Sequence, residues 1–476
     1  MAQLIVIFGL AECVLGWLQL LGFATSGNYM YPATGTFYNP GPYCGFLAVI
    51  VPVALQSMLS DKRKVPVLLS DAYLLLAMGL MPSLMGRTGW IAAALGCAVV
   101  VAGRHDFTRK PVRRGRLTVY AACVIVLGAA LIGLLYFLKP DSARGRVLMW
   151  IVAMRAMIAH PQGVGWDRVA GAFGQAQEDY FAQYPDSVFV SVAGAPEYVF
   201  NEFLQIGIAF GIAGFIAFTA VVIAGAVTAW RTRRFGLCGA VTAFAAVCFS
   251  SYPLQFPEFY LLVFLLGTAI IFSLRNVSLW LKTVICAITG GLLAVPAYGM
   301  MERERQMREW DRVGDVIRHR MPESFKEECD SLVREMEWNA QCLFDYGKAL
   351  REEGDFKQSN EVLKRGVEIS SDPMFLNLIG RNHEDMGDTV EAEKYYRRSK
   401  NRLPNRLYPY YRIVMLYAEQ GDTSSVKFRK AYDEAMTLPV KVASPATRQM
   451  REELGKICTG LAGSYRAHMV RTGLNM

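Results

Sequence analysis

Residues Ala195 to Gly214 read APEYVFNEFLQIGIAFGIAG, a polar Glu-Tyr-x-Phe-Asn-Glu cluster that runs directly into an apolar stretch long enough to cross a membrane. Polar and ionisable groups at the edge of a hydrocarbon core are expensive, so Tyr198, Asn201 and Glu202 are the first candidates for a functional site. Asn201 and Glu202 also have a purely structural reading, as the cap and the dipole partner of the helix they open.

Outward from this segment, 476 residues with 53% hydrophobic and 19% charged content describe two bodies in series. Up to about residue 300 there are apolar stretches near 1–24, 42–60, 65–81, 88–103, 116–138, 201–229, 235–252, 256–274 and 279–300. They predict an all-α, polytopic membrane helix bundle of about nine spans. Basic residues fall in every second connection: Lys62 to Lys64, then Arg104 to Arg116, then Arg231 to Arg234, then Arg275 and Lys282. That alternation predicts a cytoplasmic amino terminus and an external carboxy-terminal domain. The net charge of +9 is then an orientation signal, and nothing in the Lys/Arg pattern calls for nucleic acid. The first stretch lacks a basic leader and a small-residue cleavage site, so it reads as a spanning helix. Most cysteines sit inside apolar helices and no Cys-x-x-Cys occurs, so no metal site and no cofactor is expected; Cys329 and Cys342 are the one pair considered for a disulfide.

From residue 301 to 476 the chain turns polar, helical and repetitive. Gly-Asp recurs at Gly354, Gly387 and Gly421, spacings of 33 and 34, each between an aromatic-anchored helix and a second helix. That is the tetratricopeptide period, and it predicts an α-solenoid that offers a concave face to a protein or peptide partner.

Three further motifs lie in the membrane half. Thr34 to Ala48, TGTFYNPGPYCGFLA, is an uncharged rigid turn with Asn39-Pro40 at the mouth of a helix. Ser83 to Trp90, SLMGRTGW, places Arg87 on the expected external side. The long external loop, 139–200, opens with Arg144 and Arg146, continues through Trp150 and Arg155, and turns at His160-Pro161 through Gly163-Val164-Gly165. Arg144 and Arg155 also read as solvated or lipid-facing, and Glu178 and Asp179 as a solvated face.

Together these segments resemble the O-antigen ligase-like membrane glycosyltransferases. Gly145-Arg146 and Trp150, followed by Pro161-x-Gly163-x-Gly165, follow the family pattern in order, and Leu204-Gln205 leads to Gly211 and Gly214 as in its signature helix. Asn39-Pro40 stands at the family's Asn-Pro segment, and Arg87 at its Ser-Arg start with Ser83 displaced by four residues. The resemblance implies a bacterial inner-membrane enzyme that moves a polyprenyl-diphosphate-linked glycan onto a lipid-core or protein acceptor, without metal and with inversion. It assigns donor binding to Arg87, Arg146, Arg144 and Asn39, since a guanidinium suits a diphosphate. Acceptor positioning or proton transfer falls to Glu202, Asn201, Tyr198 and His160. Phe200 departs from the family pattern by standing where many members carry His. Members also carry more helices ahead of the Asn-Pro segment, so the chain reads as amino-terminally short. Two alternatives stay open: a polymerase of the same fold, and a membrane-anchored scaffold whose catalytic half has decayed. A transporter fits poorly, with Glu12 and Asp71 the few mid-helix charges.

Overall fold

In a computed structural model the chain is described over residues 1–104, 140–319, 326–439 and 444–457. Among these the regular structure is all helical. Contacts divide the chain into two units, Met1–Leu138 with Tyr198–Arg305, and Lys139–Glu197 with Gln306–Met476. This differs from the division at residue 300 expected from composition. The long loop belongs to the second unit, and the boundary near residue 305 falls inside one continuous helix, Leu279–His319.

The first unit contains α1 (Ala2–Leu20), α2 (Pro40–Ser60), α3 (Lys64–Leu80), α4 (Arg87–Arg104), α7 (Glu202–Arg231), α8 (Phe235–Ser250), α9 (Pro257–Phe272) and the start of α10 (Leu279–His319). Helices therefore stand at each expected apolar stretch except 116–138, which lies outside the described residues. Among the described residues four spans are long and apolar enough to cross a membrane: Ala2–Leu20, Pro40–Ser60, Glu202–Arg231 and Leu279–Asp311. Helices α8 and α9 are apolar but shorter, at 16 residues each. These spans mark a membrane protein.

Helices α2, α4 and α8 meet backbone to backbone. A Cβ on Gly96 would stand 2.8 Å from the carbonyl oxygen of Gly239, and one on Gly239 would stand 2.4 Å from that of Gly96. Pro52 of α2 closes the same crossing, and a Cβ on Gly89 would press on the Cys44 carbonyl at 2.8 Å. Small residues are what lets spanning helices approach this closely.

Polar residues of α1 serve the loop that leads to α2. The Gln19 amide accepts from the Thr34 and Gly35 N–H groups and donates to the carbonyls of Gly35 and Thr25. Glu12 accepts from the backbone N–H and the hydroxyl of Thr36. A buried backbone needs such partners where water is absent.

The second unit begins with α5 (Pro140–Ala159) and α6 (Val169–Gln183) and continues through α11 (Lys326–Glu335), α12 (Ala340–Glu352), α13 (Phe356–Ile369), α14 (Met374–Asp385), α15 (Thr389–Arg402), α16 (Leu407–Glu419) and α17 (Val426–Thr437). Gly354, Gly387 and Gly421 all take positive φ after a helix end. Asp355 and Asp388 then cap α13 and α15. In the third turn Ser425, not Asp422, supplies the cap. Cys329 and Cys342 are buried free thiols, so the disulfide considered for them is not formed.

Helix α6 explains why the loop joins this unit. A Cβ on Gly171 would lie 1.9 Å from the Glu368 carbonyl oxygen, and one on Gly174 would lie 2.9 Å from the Ser371 Cα. One turn on, the same face carries Glu178, which is buried and paired with Arg398 at 2.7 Å and Arg402 at 3.2 Å. The expected solvated face thus holds only for Asp179, which is exposed. Asn405 donates to the carbonyls of Val190 and Ala193, Gln177 to those of Gly194 and Arg402, and Ser371 to that of Pro196. Arg155, read as solvated, lies over the Tyr180 and Tyr184 rings at 5.1 and 5.4 Å.

Replacing Gly171 by Val should detach α6, since the neighbour it would strike is backbone and cannot rotate away; overpacking of this kind costs about 1–3 kcal/mol or more. Limited proteolysis of the full chain should show new cleavage within 160–197, while Asp179→Ala leaves the pattern unchanged.

Candidate functional site

In the first unit the candidates Asn39 and Tyr198, together with Phe200, gather around a residue that sequence reasoning missed, Tyr252, and the candidates Asn201 and Glu202 follow in the adjoining turn. Asn39 caps α2 by accepting from the Gly41 N–H at 2.9 Å, and its amide donates to the Tyr252 hydroxyl at 3.0 Å. The Tyr252 ring stacks on Tyr198 with centroids 5.0 Å apart and meets the Phe200 ring edge-on at 4.9 Å. Phe256 flanks the same ring at 5.9 Å.

The turn before α7 is held from both ends. Asn201 accepts from the Leu204 N–H, and Gln205 accepts from the Val199 N–H. Between them Phe200 sits at φ 53°, a left-handed conformation that aromatic residues rarely adopt. Backbone strain of this sort persists where the surroundings over-determine it, and it concentrates at functional turns. Within α7 the chain breaks again at Gly211, with φ 73° and ψ −173°, a conformation open to glycine.

Glu202 is 0% exposed. Its Oε1 accepts from the Leu254 N–H at 2.8 Å, and its Oε2 is buried without a partner among the described residues. The expectation of a carboxylate facing an acceptor at the helix mouth meets a steric obstacle here: an enclosed carboxylate touches no incoming hydroxyl in this conformation. What Glu202 does hold is the turn that carries Tyr252, Leu254 and Phe256.

Arg87 is the first residue of α4 and is exposed. Its neighbour Thr88 lies 3.2 Å, oxygen to oxygen, from Ser250 at the end of α8. In the second unit Arg144 and Arg146 stand on the first turns of α5, Arg144 exposed and Arg146 half-buried. His160 follows the end of α5, and its carbonyl accepts from the Gly163 N–H at 2.9 Å. Gly163 and Gly165 both take positive φ, as a Pro-x-Gly-x-Gly turn requires. Among the described residues no cluster of three or more His, Cys, Asp or Glu is arranged to hold a metal.

The missed signal was legible in part. Tyr252-Pro253 and Pro257-Glu258 bracket a short connection between two apolar helices, and a polar aromatic beside a proline at such a point is a site candidate.

A family model described as O-Antigen ligase matches residues 72–219. The match takes in Arg87, Arg146, His160, Tyr198 to Glu202 and the Gly211 break, and leaves out Asn39 and the Tyr252 turn. Over that segment the chain is similar to a family of membrane glycan-transferring ligases. No curated protein matches the chain.

The Asn39–Tyr252 contact is open to a double-mutant cycle. Asn39→Ala removes a helix cap worth about 1 kcal/mol as well as the bond to Tyr252. Tyr252→Phe removes the latter and leaves the cap in place, so the two losses in thermal stability should be non-additive by about 0.5–1.5 kcal/mol. Strict additivity would show that the bond contributes nothing.

Proposed function

We propose that the chain is an integral membrane glycosyltransferase that moves a polyprenyl-diphosphate-linked glycan onto an acceptor outside the cytoplasm, a lipid core or a protein hydroxyl. The observation that carries this reading is a coincidence of position. The segment similar to O-antigen ligases, 72–219, also holds the strained Phe200 turn, the enclosed Glu202 and the Arg146 helix.

In this reading Arg146 and Arg87 offset the charge of the leaving diphosphate, with Arg144 and Asn39 in supporting roles. The reaction is metal-independent and inverts the anomeric centre. Tyr198 is half-buried on the face of Tyr252 and orients the acceptor together with Asn201. Glu202 acts through the Leu254 N–H as a positioning residue and reaches an acceptor only if that turn opens; His160 remains the alternative proton acceptor. The chain lies in a bacterial inner membrane with nine spans, a cytoplasmic amino terminus and a periplasmic carboxy-terminal domain. That domain is a tetratricopeptide solenoid, and the exposed side of its repeats takes a protein partner.

A second reading is favoured by Phe200, which carries no titratable group, and by the enclosure of Glu202: a membrane-anchored scaffold without transfer activity. The two separate in one series. Arg146→Lys keeps the charge but loses the two-pronged geometry, so glycan transfer should fall at least tenfold while the protein accumulates normally. Glu202→Gln should lower turnover more than donor binding, and Phe200→His should leave transfer intact. Unchanged surface glycans and glycoproteins in a deletion strain would establish the scaffold.

A further inference from the structure

The second unit holds an open cavity of about 690 Å³ in whose wall only His160 has a part in the transfer reading. Its wall carries four cations, Arg168, Lys364, Arg398 and Arg402, and one carboxylate, Glu368. Glu368 pairs with Arg168 at 3.4 Å. Behind the wall Glu178 pairs with Arg398 and Arg402, and Asp372 lies within electrostatic reach of Arg402. With three carboxylates set against four cations, the charge left over sits on Lys364, which is exposed and makes no ion pair among the described residues.

Arg402 supplies an independent observation. It is 0% exposed, bonds the Ser370 carbonyl and Glu178 through its terminal nitrogens, and leaves its Nε–H without a partner among the described residues. Because the whole side chain is enclosed, Arg402 touches no molecule in the cavity and contributes positive charge beneath its wall. The wall is rich in donors, and Gln175 and the His160 imidazole add polar groups of the kind that read hydroxyls. The volume suits a small organic molecule rather than a single inorganic ion.

We infer that this cavity binds an acidic saccharide, a short glycan segment bearing a carboxylate, through Lys364 and the accessible guanidinium groups of Arg168 and Arg398. The saccharide class rests on the glycan-transfer reading; the anionic character rests on the cavity alone. The turn Gly163–Val164 and the start of α6 form one side of the cavity, and α13 and α15 form the other. A ligand there would also fasten the long loop to the helical repeats.

The test is isothermal titration of the purified full chain in detergent, with no donor present, against trigalacturonate, maltotriose and inorganic pyrophosphate. Trigalacturonate should bind, more weakly as salt rises, with maltotriose at least tenfold weaker. Lys364→Glu should weaken trigalacturonate at least tenfold without moving the melting temperature, and Lys364→Ala should fall between. The proposal is overturned if trigalacturonate does not bind, if maltotriose matches it, or if Lys364→Glu binds like the unmodified chain. Pyrophosphate binding as tightly as trigalacturonate would make the cavity a small-anion site and overturn the saccharide assignment. Because no transfer is measured, a chain inactive as a transferase can still bind, and an active one can fail to.

Discussion

The backbone contact between Gly96 and Gly239, closed by Pro52, sets the geometry on which the first unit depends. In a bilayer there is no hydrophobic drive between helices, so close approach and shared dispersion must supply the association. Any side chain at these two glycines would meet a carbonyl oxygen, and backbone has no rotamer to escape into. The consequence reaches the candidate site. Helix α2 begins at its cap Asn39, and α8 ends two residues before Tyr252, so the α2–α8 packing fixes the distance that the Asn39–Tyr252 hydrogen bond spans.

A different constraint governs the second unit. Glu178 is buried with two guanidinium groups, a costly arrangement unless every partner is in place. Removing either side strands the other, which makes the pairing of α6 with α15 specific rather than merely adhesive. Gly171 and Gly174 permit the approach, and Asn405 and Ser371 then satisfy carbonyls of the irregular segment 190–196. A long loop that would otherwise need water for its backbone finds its partners on the connections that follow α13 and α15.

Helix positions were legible because apolar runs and Gly-Asp turns are local signals; each described apolar stretch became a helix, and Gly354, Gly387 and Gly421 all take the positive φ that a glycine after a helix end permits. What escaped the sequence was pairing at long range. Glu178 looks like any surface carboxylate until Arg398 and Arg402, more than two hundred residues on, are brought to it. Tyr252 escaped for the same reason, because its significance lies in Asn39, Tyr198 and Phe200, each from another part of the chain. For Glu202 the sequence shows a carboxylate at a helix start but not the Leu254 N–H that occupies it.

The turn at residues 199–205 joins these strands of argument. Gln205 of the helix reaches back to accept from the Val199 N–H, the cap Asn201 accepts forward from the Leu204 N–H, and Phe200 between Val199 and Asn201 is held at φ 53°. Such a conformation costs on the order of 1–3 kcal/mol. The Tyr252 ring meets Phe200 edge-on and stacks on Tyr198, an aromatic contact of about 0.5–1.5 kcal/mol per pair that offsets part of that cost. Residue 200 is therefore under a geometric demand, to place a flat ring against Tyr252 from a strained backbone, that is separate from any demand for proton transfer. Any flat ring at this position would meet the same geometric demand, while Glu202 secures the turn that carries Tyr252 through the Leu254 N–H.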